Sequence, residues 1–218
     1  MDKIKSIGVV GAGQMGRGIA QVAAMSNFKT MMFDINEDGL KHGLDFIKKQ
    51  LGRGLEKGKY DQAFVDKALG NITTTTELAG LKDCDLIIEA ATENKKVKFQ
   101  IFENLDGIAK KDAILATNTS SISITEIAAV TARPQQVVGM HFMNPVPVMK
   151  LVEGIRGLET SDEVFNMVEQ TAVEMGKTFI KVNDVAGFAI NRILMPMINE
   201  AVYAHYEGVA SIADIDTG

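Results

Sequence analysis

Short apolar runs alternate with longer amphipathic segments along most of this chain. Strands are predicted where four or five consecutive apolar or β-branched residues stand between helical patterns. The predicted strands are residues 6–10, 29–33, 72–75, 86–89, 113–116 and 137–141, with further extended pieces at 149–152 and 178–182. Runs of this kind between helices predict a parallel sheet covered by helices on both faces.

Apolar residues at helical spacing predict the helices between these strands. These helices are residues 14–25, 37–57, 61–69, 94–109 and 161–175. The second and third would form a helical hairpin inserted after the second strand. The character of the chain changes near residue 185, beyond which lie one strongly helical segment, 188–207, and the start of another. We therefore predict an α/β fold with a doubly wound sheet domain at 1–184 and part of a helical domain at 185–218.

A glycine-rich turn, Gly11-x-Gly13-x-x-Gly16, joins the first predicted strand to the first helix. Gly11 permits the tight turn, Gly13 lets the backbone approach a pyrophosphate, and Gly16 lets helix and strand pack closely. The free N–H groups where the helix begins, at Gln14 and Met15, would face this negative ligand. Such a motif is weak by itself, but here a strand precedes it and a helix follows.

An acidic residue at the end of the second strand makes the cofactor prediction more specific. Asp34 lies 23 residues after Gly11. A carboxylate in that position accepts hydrogen bonds from the adenosine ribose hydroxyls and repels a 2′-phosphate. The pattern therefore predicts NAD rather than NADP.

Composition restricts the classes of partner. The chain has 218 residues, a formal net charge of −5 and no basic block, which argues against nucleic acid or an anionic membrane. No apolar run approaches the length of a membrane span. The single cysteine, Cys84, fits a reducing compartment and is best interpreted as a small buried apolar residue. We expect a cytoplasmic protein with no leader peptide before the first strand and no metal site.

Polar residues follow two of the later strands, where ligands bind in open α/β sheets. Residues 118–121 come after the strand at 113–116, and His141 ends the strand at 137–141. The turn that begins at Asn144 brings the chain back, and Glu153 lies 12 residues after His141. A carboxylate paired with an imidazole fixes its tautomer and suits proton abstraction from an alcohol. Spacing alone leaves open the alternative that Glu153 is a surface acid on an edge strand.

Longer strings resemble the L-3-hydroxyacyl-CoA dehydrogenase family, close to its bacterial members that act on 3-hydroxybutyryl-CoA. They cover almost the whole chain and include GAGQMGRGIAQ, DCDLIIEAATEN, ATNTSSISITEIA, GMHFMNPVPVMKLVE and GFAINRILMPMINEA. The HFxNPxPxMxLVE and GFxxNR strings together are far more specific than a glycine loop. The resemblance implies a Rossmann-type NAD-binding domain, a helical C-terminal domain, and reversible hydride transfer between NAD and a CoA thioester substrate.

The resemblance also implies a role for individual residues. His141 would be the general acid and base, Glu153 its partner, and Ser120 and Asn191 the polar groups around the substrate's 3-oxygen. Nothing in its own sequence context would have selected Asn191. The implied cofactor contacts, besides the glycine turn with Gln14 and Met15, are Asp34, Glu93, Lys98 and Asn118. The implied substrate contacts are Ser120, Asn144 and Asn191, with Lys49, Arg53 and Lys57 as candidates for the CoA phosphates.

One departure from the family concerns the helical domain, which in the family forms the dimer and closes the cleft. This chain holds only its first helix and a stub, so we expect a truncated domain here and a homodimer for the complete protein. Three alternatives stay open: a dehydrogenase of a free hydroxy acid or sugar acid, a non-catalytic structural or redox-sensing module, and a fragment that binds NAD without turnover. The set of Ser120, His141, Glu153 and Asn191 argues against the second.

Overall fold

The computed structural model describes residues 3–218, so the first two residues of the predicted first domain lie outside the described range. Its strands are β1 (Ser6–Val10), β2 (Lys29–Phe33), β3 (Ile72–Thr75), β4 (Leu86–Glu89), β5 (Ile114–Thr117), β6 (Val137–Phe142), β7 (Leu151–Arg156) and β8 (Thr178–Asn183). Its helices are α1 (Gln14–Met25), α2 (Glu37–Glu56), α3 (Gln62–Gly70), α4 (Lys95–Ile108), α5 (Ile124–Ala128), α6 (Asp162–Glu174), α7 (Ile190–Tyr206) and α8 (Ile212–Thr217), with short 3₁₀ turns at Leu78–Leu81 and Pro134–Gln136.

One sheet contains all eight strands, in the order β3-β2-β1-β4-β5-β6-β7-β8. Neighbouring strands are parallel except β6 and β7, which run antiparallel. The chain moves outward from β1 to β3 on one side and from β4 to β8 on the other, so the order reverses between β1 and β4. Ligands of doubly wound sheets bind at the carboxyl ends of the strands beside such a reversal. The predicted α/β doubly wound fold is confirmed.

The middle of the sheet is buried on both faces. Every residue of β4, β5 and β6 is buried. One apolar cluster, which includes Ile19, Ile47 and Phe165, and a second, which includes Phe102 and Leu105, make up the core. A sheet covered on both faces has apolar residues at consecutive strand positions, which is why these strands could be recognised as continuous apolar runs.

The return of the chain after β6 differs from the sequence prediction. The backbone N–H groups of Val148 and Met149 both donate to the carbonyl of Pro145, at 3.0 and 2.9 Å. The peptide bond before Pro145 is cis. These residues therefore turn, and β7 begins only at Leu151, so the extended piece predicted from residue 149 was placed too early.

The segment between β8 and α7 is held to the sheet domain by Asp184. Its carboxylate accepts hydrogen bonds from the hydroxyl of Ser123 at 2.7 Å and from the N–H groups of Ile124 and Thr125 at 3.0 and 2.8 Å. Burial raises the pKa of Asp184, but these donors outweigh it and lower the pKa below its ordinary value. The domain division at residue 185 stays a prediction. Among residues 3–218, no helix has the length and apolar character needed to cross a membrane.

Candidate active site

The glycine-rich turn lies at the carboxyl end of β1, beside the reversal of strand order. Gly11 has a positive φ of 102°, and a Cβ there would lie 2.9 Å from the carbonyl oxygen of Ala90. A Cβ on Gly16 would lie 1.8 Å from the carbonyl oxygen of Gly11, so the turn packs against α1 only with glycine at that position. Gly13 precedes α1 and has no side chain to cap it, and a Cβ there would meet only open space. The first N–H groups of α1 are therefore available to an anionic ligand.

Asp34 directly follows β2 and is oriented by the same turn. Its Oδ2 accepts a hydrogen bond from the Ala12 N–H at 2.8 Å, and its Oδ1 accepts one from the Asn36 N–H at 3.0 Å. The half-buried carboxylate keeps lone pairs for further donors such as ribose hydroxyls. An uncapped helix start, a close-packed glycine turn and this acid together fit a dinucleotide without a 2′-phosphate, as predicted for NAD.

An open cavity of about 520 Å³ lies at the carboxyl ends of the central strands. About half of the residues predicted for the site border it. They are Met15, Glu93, Lys98, Asn118, Ser120, His141, Asn144 and Asn191. The structure thus brings these eight residues together around one cavity, although they are distributed over nearly 180 positions of the chain.

His141 and Glu153 form a buried pair at the floor of this cavity. In the antiparallel register of β6 and β7 the two residues stand directly opposite each other. The distance from His141 Nδ1 to Glu153 Oε2 is 2.7 Å, and the distance from His141 Nε2 to Ser120 Oγ is 3.1 Å. Glu153 is 0% exposed and β7 lies between β6 and β8, so the alternative of a surface acid on an edge strand is wrong.

The second oxygen of Glu153 connects the pair to α7. Oε1 accepts hydrogen bonds from the N–H groups of Ala189 and Ile190, at 2.9 and 3.0 Å. Burial raises the pKa of Glu153, but the hydrogen bonds from His141 and from these two N–H groups outweigh it and lower the pKa below its ordinary value. The group is therefore a carboxylate at neutral pH. The same contacts fix the start of α7, where the Asn191 amide nitrogen lies 3.5 Å from the Ser120 carbonyl oxygen.

Glu93 holds the loop that carries Ser120. Its two carboxylate oxygens accept hydrogen bonds from the Ser120 N–H at 2.8 Å and from the Thr119 hydroxyl at 2.7 Å. Two amide side chains make similar connections around the cavity. Asn118 Oδ1 accepts a hydrogen bond from the Phe142 N–H at 2.9 Å, and Asn144 Oδ1 accepts one from the Gln14 side chain at 3.1 Å.

The basic residues proposed for the CoA phosphates are not part of this cluster. Lys49 and Arg53 are exposed on α2, and the four-residue spacing puts them on one face of the helix. Lys57, which directly follows α2, is exposed as well. None of the three borders the cavity described above. Their role stays a prediction.

Sequence reasoning missed three buried polar residues around the site. Glu89 and Thr117 end β4 and β5 beneath the cavity. Lys177 donates hydrogen bonds to the carbonyls of Val146 and Met149, which closes the turn behind Asn144. A charged residue at the end of the apolar run LIIE was the available signal for Glu89. Lys177 had no comparable signal, because its acceptors are backbone carbonyls remote in the sequence.

Comparisons with known proteins agree over nearly the whole chain. Residues 6–185 match the family described as "3-hydroxyacyl-CoA dehydrogenase, NAD binding domain", and residues 187–218 match "3-hydroxyacyl-CoA dehydrogenase, C-terminal domain". A probable 3-hydroxybutyryl-CoA dehydrogenase of Bacillus subtilis is 53% identical over 214 residues, covering 98% of this chain and 75% of the relative. A 3-hydroxybutyryl-CoA dehydrogenase of Bradyrhizobium diazoefficiens is 47% identical over 213 residues, covering 98% and 73%. The crystal structure of (S)-3-hydroxybutyryl-CoA dehydrogenase from Ralstonia eutropha has a TM-score of 0.95 and 46% identity, covering 97% of this chain and 75% of that one.

Proposed function

The chain belongs to the 3-hydroxyacyl-CoA dehydrogenase family and is an NAD-dependent enzyme, and from that premise we propose that it interconverts 3-hydroxyacyl-CoA and 3-oxoacyl-CoA with His141 as general acid and base. The relatives' names support 3-hydroxybutyryl-CoA and acetoacetyl-CoA as the substrate pair. One observation carries the catalytic proposal. His141 stands between the Glu153 carboxylate and the Ser120 hydroxyl and borders the cavity beside the glycine turn.

His141 moves the proton of the substrate hydroxyl. Its Nδ1–H donates to Glu153, which leaves Nε2 as the acceptor on the side of Ser120. In the oxidation direction Nε2 takes the hydroxyl proton, and in the reduction direction the imidazolium returns it to the forming alkoxide. Glu153 stabilises the imidazolium by charge. The bound cofactor would supply the hydride acceptor for C3 of the substrate in oxidation and the hydride donor in reduction.

Ser120 and Asn191 orient the substrate's 3-oxygen. Both side chains border the cavity on the His141 side, and both can donate a hydrogen bond. Donors held in place before the reaction stabilise negative charge that develops on an oxygen. Around the cofactor, we assign the ribose hydroxyls to Asp34 on the adenosine side and to Glu93 and Lys98 on the nicotinamide side.

Other residues of the site contact the cofactor and the substrate in this proposal. Gln14 and Met15 at the start of α1 contact the pyrophosphate, Asn118 contacts the cofactor, and Asn144 contacts the substrate. Lys49 or Arg53 contacts the CoA phosphates. Charge reversal at the residue that makes this contact should raise the KM for acetoacetyl-CoA without changing the KM for free acetoacetate.

We also propose that the complete protein is a cytoplasmic homodimer with a domain division at residue 185. Apolar side chains of α7 are exposed in the described part of the chain, among them Ile193, Met197 and Val202. Their exposure supports the proposal that an interface covers this helix. Sedimentation equilibrium on the complete protein tests this assembly.

The decisive experiment is the loss of NADH absorbance with acetoacetyl-CoA, compared with free acetoacetate at the same concentration. Rapid oxidation with the thioester and much slower oxidation with the free acid support the proposal. Equal rates would instead favour a dehydrogenase of free hydroxy acids. NADH binding without turnover on either substrate would favour a fragment that only binds the cofactor.

A further inference from the structure

A buried carboxylate lies directly beneath the cofactor crevice and has no part in the reaction proposed above. Glu89 is the last residue of β4 and is 0% exposed. Its Oε2 accepts hydrogen bonds from the Lys98 ammonium and from the Thr117 hydroxyl, the latter at 2.8 Å. It therefore links the end of β4 to the end of β5 and to α4.

The other oxygen of Glu89 fixes the loop that follows β4. Oε1 accepts hydrogen bonds from the N–H groups of Ala91 at 2.9 Å and Thr92 at 3.4 Å. This loop contacts the glycine turn, because a Cβ on Gly11 would lie 2.9 Å from Ala91 Cα. The next residue is Glu93, whose carboxylate holds the Ser120 N–H. One side chain thus determines the position of a loop that borders both cofactor and catalytic residues.

Glu89 is the carboxylate that pairs with the buried Lys98 ammonium. Its side chain is 1% exposed, and burying an ammonium without a partner is strongly unfavourable. Its acceptors among residues 3–218 are the Glu89 carboxylate and, at 3.4 Å, the Thr117 hydroxyl. A lysine ammonium has three hydrogens, so one stays available on the side of the cavity that Lys98 borders.

We propose that Glu89 is a positioning residue for the nicotinamide half of the cofactor. It holds the Lys98 ammonium in place on the side of the crevice, and it holds the 91–93 loop in the conformation in which Glu93 binds Ser120. The inference rests on the proposed roles of Lys98 and Ser120. It differs from a purely structural role because it requires NADH affinity, and not stability alone, to depend on Glu89.

The test is Glu89→Gln, which keeps the shape of the side chain and removes its charge. We expect the dissociation constant for NADH, measured by titration calorimetry, to rise at least about tenfold, equivalent to about 1.4 kcal/mol. The KM for NADH should rise in parallel. We expect kcat to fall less than the affinity, because the His141–Glu153 pair keeps its own contacts and only the Ser120 side of the site depends on the 91–93 loop. The melting temperature should also fall, as it does whenever a buried ion pair is broken.

Asp106→Asn is the matched control, because it breaks another shielded ion pair far from the crevice. Asp106 pairs with Arg133 near the amino-terminal ends of the strands, on the side of the sheet opposite the crevice. The two side chains are 16% and 13% exposed. Arg133 also donates to the carbonyls of Asp106, Ala109 and Lys110. This variant should lower the melting temperature and leave the NADH dissociation constant within about twofold of the wild type.

A second variant keeps the proposal testable if Glu89→Gln does not fold. Thr117→Val preserves both charges and removes a hydroxyl that donates to the Glu89 carboxylate and accepts from the Lys98 ammonium and the Thr119 N–H. NADH affinity should therefore weaken about three- to fivefold. Wild-type affinity in Thr117→Val, or in a folded Glu89→Gln that is destabilised like the control, would overturn the proposal. Failure of the proposed reaction would show differently, as absent turnover by the wild type, and would leave the calorimetric comparison intact.

Discussion

At the scale of single residues, the site is built from carboxylates with several donors each. Glu153 accepts hydrogen bonds from His141 Nδ1 and from two backbone N–H groups. Glu93 accepts hydrogen bonds from a backbone N–H and a hydroxyl. Charge-assisted hydrogen bonds of this kind are stronger than neutral ones. A side chain held by several of them keeps its neighbours in place, so the imidazole of His141 has a defined orientation before any ligand arrives.

Substituting His141 by Gln removes the proton carrier and keeps a polar side chain of similar size. General acid–base catalysis contributes about 10²–10⁴-fold, so turnover of acetoacetyl-CoA should fall by at least about 10²-fold. The NADH dissociation constant should stay close to that of the wild type, because the proposed cofactor contacts are made by other residues. Steady-state assays and calorimetry on the same preparation measure both quantities. Unchanged turnover would remove His141 from the mechanism.

The site was only partly predictable from the sequence at this scale. His141 and Glu153 could be paired as a hypothesis, because a turn and 12 residues allow the chain to return, but their directly opposed register came only from the structure. Asn191 and Glu89 gave little local signal. Their positions depend on contacts between elements far apart in the chain, which neither periodicity nor spacing reveals.

At the scale of elements, close packing between β7 and β8 depends on a residue without a side chain. A Cβ on Gly154 would lie 1.8 Å from Cζ of Phe179. The Phe179 ring in turn packs edge-on against Phe165 of α6, with ring centroids 5.6 Å apart. The ring therefore covers the face of β7 at Gly154, and nothing larger than glycine fits beneath it without moving the ring.

Gly154→Ala and Gly107→Ala should change stability in opposite directions. Overpacking at Gly154 should lower the free energy of unfolding by about 1–3 kcal/mol, because Phe179 must leave its position. Gly107 lies inside α4, and a Cβ added there would meet nothing within 4 Å, so alanine should raise the free energy of unfolding by about 0.5–1 kcal/mol. Urea unfolding followed by circular dichroism measures both. A shift of the same sign in the two variants would contradict the packing argument.

At the scale of the whole molecule, the order and type of most elements were predictable because each buried strand is a distinct apolar run between amphipathic helices. The short helix α5 was not among the predicted helices. The antiparallel turn to β7 was less predictable. Its start depends on the turn around Pro145 and on Lys177, whose hydrogen bonds with the carbonyls of Val146 and Met149 are long-range. Burial lowers the pKa of Lys177 below its ordinary value.

Asp85 connects three segments of the chain at the amino-terminal ends of the strands. Asp85 Oδ2 accepts hydrogen bonds from the N–H groups of Lys5 and Ser6, at 2.7 and 2.8 Å, and from the Ser6 hydroxyl at 2.9 Å. Its Oδ1 pairs with the Lys110 ammonium. The side chain thus joins the start of β1 and the start of β4 to the segment after α4. Separation of these parts is part of global unfolding, so this cluster bears on the stability of the entire sheet.

Asp85 should make the stability of the molecule depend on acid pH. Burial raises its pKa, but the hydrogen bonds from Lys110, Lys5 and Ser6 outweigh it and lower the pKa to about 2, from 3.8. Because the folded state binds the proton less tightly than the unfolded state, the stabilisation is complete above about pH 4 and is lost as the pH falls towards 2. Asp85→Asn should therefore unfold at lower urea concentration than the wild type at pH 7 and pH 5, and the difference should shrink between pH 4 and pH 2. A difference that stays constant over this range would show that the shape of the side chain, and not its charge, stabilises the edge.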